Sequence, residues 1–199
     1  MKLTPDLYRE TRARLAALGY VEDWEWAQNV RAPVNAEDLV REYALVVVNS
    51  GMHHRAARAI MDRVWPRLVA DLPLYPAAFG HAGKALAIGL MWDRRALRLA
   101  EFRELCDDPA RVLEWCESLP WIVKITRYHL AKNLGVDCAK PDRWLVRLAQ
   151  ADGETVDALC ARLAAATGDR VATVDVVLWR ACAIGVLTVD GGVINMIMT

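Results

Sequence analysis

The chain has no cysteine pair spaced for a metal, no net charge and no long apolar run. Its five cysteines (Cys106, Cys116, Cys138, Cys160 and Cys182) are odd in number, widely scattered, and form no Cys-x-x-Cys unit. That pattern gives no metal site and argues against an iron–sulfur cluster. Free thiols on apolar helical faces are the expectation. The 25 Lys and Arg balance 25 Asp and Glu, which excludes an indiscriminate polyanion binder, because nonspecific duplex affinity comes mainly from phosphate neutralisation. Contact with nucleic acid must therefore be local. The longest apolar stretches, Ala44 to Val48 and Ala181 to Leu187, fall far short of a membrane span, and the N-terminus lacks a charged-then-apolar signal pattern. A cytoplasmic protein without a membrane partner is expected. No internal repeat, low-complexity tract or flexible linker is evident.

What is present is a hydrophobic fraction of 55% in 199 residues, ample for the core of one large or two small domains. Helix signals dominate. Thr4-Pro5 opens a helix with Leu7, Thr11, Leu15 and Leu18 on one side, and Gly19 ends it. Asn35 caps a second that turns Leu39, Val40, Tyr43, Ala44 and Val47 inward and closes at Asn49-Ser50-Gly51. A third runs from about Met52 to Val64, where Pro66 disturbs it. Further helices read from His81 to Trp92, Arg94 to Cys106, Pro109 to Leu119, Thr155 to Thr167 and Thr173 to Ile184. The end differs: Val186 to Val189, then Asp190-Gly191-Gly192, then Val193 to Asn195 is a short hairpin signal. The fold class expected is all-α with a possible short C-terminal β-hairpin.

Residues 119–148 concentrate charge of one sign. They carry six Lys and Arg against two Asp, a local excess in a neutral chain. Pro120 breaks the helix ending near Leu119, and Ile125, Tyr128, Leu130, Ala131 and Leu134 form an apolar stripe until Gly135 provides a C-terminal cap. Lys124, Arg127 and Lys132 are left for the other faces. Pro141 suits a first helical position, which puts Asp142 in the first turn, where the positive helix end favours a carboxylate. Taken singly, such signs have plain structural readings: a helix-stabilising charge and a solvated face.

The combination of turn, basic helix and returning carboxylate resembles the helix-hairpin-helix of DNA base-excision glycosylases. Leu119, Pro120 and Asp142 match that superfamily's pattern. Trp121 and Val123 stand at its two glycine positions, and Ile125 stands where relatives that also nick DNA place a Schiff-base lysine. Lyase chemistry is thus not expected. The resemblance implies a single glycosylase-like helical domain over 1–199. One lobe would span about 20–110 and a hairpin and catalytic lobe about 111–184, with 1–19 packed on it, and the two would share one cleft. It also brings the possibility of a structural monovalent cation held by hairpin carbonyls, and no other cofactor.

Over most of its length the chain is also similar to the phage α-glutamyl/putrescinyl thymine pyrophosphorylases, or amino acid:DNA transferases. The blocks that carry this are Gly19-Tyr20 with Asp23-Trp24-Glu25-Trp26, Asn49-Ser50-Gly51-Met52, Phe79-Gly80-His81 with Gly83-Lys84, Tyr128 to Gly135, Lys140-Pro141-Asp142-Arg143, and Val171 to Asp175 with Leu178-Trp179-Arg180. This likeness implies replacement of pyrophosphate on 5-pyrophosphoryloxymethyluracil in DNA by an amino acid or small amine, with modified DNA and the amine as partners. Such chemistry needs a base for the ammonium proton and cations for the leaving group.

Asp142 is then the candidate base or amine-orienting carboxylate, with Lys124 and His81 as further catalytic candidates. Lys140, Arg143 and Lys84 are candidates for pyrophosphate or DNA phosphate, Lys84 through the helix N-terminus opened by Phe79 to Lys84. Asn49 either reads a base edge or caps its helix. Trp121, Arg127, Lys132 and Trp144 are the DNA-binding candidates, and His129 a weaker one. Trp24 and Trp26 are also placed for a base. Trp65, Trp92, Trp115 and Trp179 fit core faces, His53-His54 reads as surface, and Asp175 as an N-terminal helix charge. The resemblance leaves open two alternatives: a monofunctional N-glycosylase excising a modified base, and a non-catalytic DNA-binding relative.

Overall fold

The computed structural model describes residues 2–52, 54–190 and 192–197. Among them are eleven α-helices and one two-stranded antiparallel hairpin, an all-α fold with a short β appendage. They divide into two compact units: a middle unit, Arg31–Val136, and a flanking unit built from the chain up to Val30 and from Asp137 onward. This boundary differs from the expected division near residue 110. The basic hairpin segment belongs to the middle unit because α7 (Pro109–Ser118) packs on α8 (Thr126–Asn133), and α8 on α3 (Ala36–Asn49).

In the flanking unit, α1 (Pro5–Ala17) starts as its sequence dictates, with the Thr4 hydroxyl accepting from Leu7 N at 3.2 Å. Leu7, Thr11 and Leu15 are buried together with Tyr8. Leu18, expected on the same face, is 52% exposed, because the helix ends at Ala17 and leaves it at the C-cap. Helix α2 (Val21–Asn29) gave no sequence signal: Tyr20 makes no side-chain cap and only Trp24 and Ala27 are buried. The core forms where α11 (Val171–Ala183) meets α1, α2, α9 (Arg143–Asp152) and α10 (Val156–Thr167). Leu145, Leu148, Leu159, Leu163, Val177 and Leu178 are fully buried there, each contributing about 1.5–3 kcal/mol of transfer free energy. Strands β1 (Leu187–Asp190) and β2 (Val193–Met196) pair in the register Leu187 to Met196 and close on this core through Leu187 and Ile194. Gly191 of the expected turn lies outside the described residues.

The middle unit is organised around α3, capped by Asn35 Oδ1 accepting from Asp38 N at 2.8 Å. All five residues expected to face inward are buried, with Val46 and Val48 besides. Helix α3 packs against α4 (His54–Val69), α5 (Ala82–Asp93), α6 (Arg95–Leu105) and α8. Helix α4 continues through Pro66 to Val69 rather than ending at Val64. Proline removes one N–H from the ladder, and the buried Val64 and Leu68 hold the helix on both sides of it. The surface reading of His53-His54 falls on residue 53 and on the side chain of residue 54, which lie outside what is described.

All five cysteines are free; Cys106 is exposed and the other four are buried. Among the described residues no helix is long and apolar enough to cross a membrane.

Candidate functional site

In the middle unit, the turn between α7 and α8 decides what its side chains can do. Trp121 has φ +64°, a left-handed backbone that costs a non-glycine residue roughly 1–2 kcal/mol. The first of the two glycine positions of the resembled hairpin thus keeps left-handed geometry although tryptophan occupies it. Val123 does not adopt a positive φ. Its β-branch disfavours that region, and the turn is closed instead by Thr126, whose hydroxyl accepts from Val123 N at 2.8 Å and donates to Val123 O at 3.1 Å. Tyr43 on α3 braces the turn, donating its hydroxyl to Pro120 O at 2.6 Å.

The left-handed bend carries the Trp121 ring onto the start of α5. A Cβ added to Gly83 would lie 2.8 Å from Trp121 Cζ2, so glycine is what lets the ring lie there. His81 meets the same ring edge-on, with centroids 4.9 Å apart, while its Nδ1 caps α5 by accepting from Lys84 N at 3.4 Å. The Lys84 ammonium sits 6.0 Å from the ring centre. Despite this cluster, 42% of Trp121 remains exposed.

Lys84 is not the free phosphate ligand its helix position suggested. It is buried, and its Nζ donates to Ser50 O at 2.6 Å and Val48 O at 3.3 Å. It therefore closes the C-terminal end of α3, where carbonyls lack helical partners. Burial lowers its pKa. Asn49 lies between those two acceptors, and its side-chain Oδ1 is buried without a hydrogen-bond partner. Its side chain is not the helix cap. An orphan acceptor at such a site costs about 1–3 kcal/mol unless a donor arrives.

His81, Lys84 and Trp121 come together, then, and Lys84 ties them to the carbonyls on either side of Asn49. Other candidates in this unit do not join them as expected. Lys132 is buried, not on an outer face of α8. Arg127 is half-buried, paired with Glu117 and within 3.3 Å of Tyr128 Oη, and its guanidinium lies over the Tyr128 ring. Ile125 is exposed at the N-cap of α8, outside the apolar stripe. Lys124 is exposed in the turn. His129 is half-buried on α8. The carbonyls of Leu119, Pro120 and Val123 each accept a hydrogen bond from within the unit.

In the flanking unit, Asp142 is the N-cap of α9 and not a first-turn residue. Pro141 would have suited the first helical position, but the carboxylate one residue later accepts from two backbone N–H groups and sets the boundary there. Both bonds, from Trp144 N at 2.9 Å and Leu145 N at 3.1 Å, fall on Oδ1. Among the described residues Oδ2 accepts none. The buried Cys182 thiol on α11 is pushed up to about 12 by burial and then by the Asp142 charge.

Around it, Lys140 is half-buried and Arg143 exposed. Arg143 and Arg147 both lie over the Trp144 ring, 4.8 and 5.6 Å from its centre, while Trp144 packs on the core. Trp24 is buried, whereas Trp26 is 43% exposed. Trp179, expected in the core, is 37% exposed beside Arg180. Asp175 is no N-terminal charge: it is the fifth residue of α11 and buried. Sequence reasoning missed Ser50 as a lysine acceptor and Tyr43 as the brace of the turn. Neither has a sequence signal, since both contacts join segments far apart in the chain. No family model matches the chain, and no curated protein or solved structure matches it either.

Proposed function

We propose that this protein modifies bases in DNA, as a transferase that replaces pyrophosphate on 5-pyrophosphoryloxymethyluracil with an amino acid or small amine. The observation that carries the reading is the Trp121 cluster. A partly exposed indole is held in a strained left-handed turn, and Lys84 near it bonds the carbonyls on either side of Asn49, whose buried side-chain oxygen has no partner among the described residues. A flat group with N–H donors suits both features, and an extruded nucleobase is such a group. Stacking on one ring supplies about 1–3 kcal/mol. The sequence likeness narrows the chemistry to amine transfer.

In the flanking unit the reading uses Asp142. The amine nitrogen attacks the base methylene carbon, the bond from that carbon to the pyrophosphate oxygen breaks, and pyrophosphate leaves with the electron pair. The ammonium proton passes to a carboxylate, the role assigned to Asp142 through Oδ2. Arg143 suits the departing or backbone phosphate, since its exposed guanidinium forms bidentate contacts.

The test is mass spectrometry of nucleosides from DNA carrying 5-pyrophosphoryloxymethyluracil after incubation with the protein and a pool of amino acids and putrescine. An amine-bearing nucleoside with released pyrophosphate is the expected result. An abasic site with a released base would replace the transferase by an N-glycosylase. Binding to ordinary duplex without product would leave a non-catalytic DNA-binding protein.

A further inference from the structure

The middle unit holds an open groove of about 660 Å³ along α5. Leu72, Leu74, Tyr75, Leu86, Leu90 and Trp92 form its apolar walls. Leu72 and Tyr75 are each half exposed and Leu86 is 65% exposed, so this apolar surface is unusual in being both concave and uncovered. The volume falls within the range of small-molecule sites. None of the charged or aromatic side chains assigned to DNA lines it.

Two features say what the groove accepts. The first is charge: Asp71 and Asp93 are the charged side chains that line it, and no lysine or arginine does. Asp71 is held in place, because its Oδ1 accepts from Trp92 Nε1 at 2.9 Å, a bond that engages one of its two carboxylate oxygens. The charged side chains of the lining are thus carboxylates, while Arg67 and Arg95 next to it are engaged with the carbonyls of Pro73 and Trp92. The second is Gly89, in the interior of α5 and on the groove lining. Glycine within a helix is destabilising relative to alanine, yet a Cβ built at Gly89 meets nothing within 4 Å. Packing does not require glycine there. Its effect is to keep the floor of the groove bare.

We infer that this groove binds an organic cation with an apolar body, its ammonium between Asp71 and Asp93 and its hydrocarbon along Gly89, Leu86 and Leu90. The site stands independently of the DNA reading.

Calorimetric titration of the full chain tests it with n-hexylamine, n-hexanol and hexanoate, which share a hydrocarbon and differ in charge. The wild type should bind hexylammonium at least tenfold tighter than hexanol, and hexanoate most weakly. Gly89→Phe starts from a Cβ that meets nothing within 4 Å, adds a ring at the floor, and should abolish binding while circular dichroism shows the wild-type fold. Asp71→Asn with Asp93→Asn keeps an oxygen for Trp92 Nε1 and should bring hexylammonium down to the level of hexanol. Equal binding of all three probes, no binding of hexylammonium, or undiminished binding by a folded Gly89→Phe protein would each overturn the assignment. Because no probe involves DNA, failure here leaves the transferase reading standing, and failure of the nucleoside assay leaves this site standing.

Discussion

The two units handle their polar groups differently. In the flanking unit charges are matched where they lie: Arg12 meets Asp169 at 2.6 Å, Arg162 meets Asp152 at 2.7 Å and Glu154 at 3.0 Å, and Arg180 meets Asp23 at 2.7 Å. In the middle unit local rules are broken. Both left-handed non-glycine residues among the described residues, Asp71 and Trp121, are there. So are two asparagines, Asn49 and Asn133, whose buried Oδ1 atoms lack partners. Strain and unsatisfied groups persist only where surrounding structure enforces them, and they concentrate at functional sites. The contrast is one of degree: the middle unit also pairs Arg98 with Glu101 and Arg127 with Glu117, but the strained non-glycine backbone and the partnerless asparagine oxygens gather there, while the flanking unit matches Arg12, Arg162 and Arg180 internally.

Asp142 is the sharpest exception to that division, a carboxylate in the flanking unit with one oxygen unengaged. Asp142→Asn keeps an oxygen for Trp144 N and Leu145 N, so the cap survives and the unfolding midpoint should shift little. Loss of the general base should lower the rate of amine transfer about 100- to 10,000-fold. Unchanged turnover in a stably folded variant would return Asp142 to a capping role and make the flanking unit scaffold throughout.

Matched glycines compare the units' tolerance of backbone change. Gly135 (φ +86°) follows α8 and Gly153 (φ +74°) follows α9, both left-handed. A Cβ on Gly153 meets nothing within 4 Å, whereas one on Gly135 would lie 2.6 Å from Ala32 N and 2.7 Å from Arg31 C. Gly153→Ala should cost about 1 kcal/mol from its backbone alone. Gly135→Ala adds a clash with main chain that cannot rotate away, for a total of about 4 kcal/mol. Urea unfolding of the two variants would measure the difference.

What the sequence made legible follows from how local each cause is. Thr4, Asn35, Asp108 and Thr155 cap helices within three residues of themselves, and those starts were readable. Gly135 was readable as a cap, but its approach to Arg31 and Ala32 joins distant segments and was not. In sequence Lys84 reads as an anion ligand at a helix start and Lys132 as a residue left to the outer faces of α8. Only tertiary packing buries them, and for Lys84 the distant carbonyls of Val48 and Ser50 complete the arrangement. The cluster's members were found singly in the sequence, while their convergence on Trp121 needed coordinates.

Removing a matched charge tests the self-satisfied character of the flanking unit. The Asp152 side chain has no exposed surface, accepts from Leu3 N at 3.0 Å through Oδ1, and pairs with Arg162 through Oδ2. Asp152→Ala leaves a buried N–H without an acceptor and strips one partner from Arg162. Arg162 retains Glu154 and partial exposure, which limits the expected loss to about 3 kcal/mol by urea unfolding. A loss below about 1 kcal/mol would mean that water readily replaces these bonds.

The smallest effect is expected where the middle unit leaves a polar group incomplete. Asn133 Nδ2 donates to Glu42 Oε2 at 2.8 Å, but Asn133 Oδ1 has no partner. Burial raises the Glu42 pKa above its ordinary value, partly opposed by that hydrogen bond. A raised folded pKa means that the folded state holds the proton more tightly than the unfolded chain. The resulting stability is complete below about pH 4.5 and is lost as pH rises through the folded value. Glu42→Gln removes the ionisation while keeping an acceptor for Asn133 Nδ2, and its added N–H₂ can donate to Asn133 Oδ1. The variant should gain about 0.5–1 kcal/mol at pH 7 and lose the downward slope of stability above pH 4.5. Were the slope to persist, its source would be another group; were Glu42→Gln destabilising at pH 7, the carboxylate would be serving a charge partner that the Asn133 contact does not reveal.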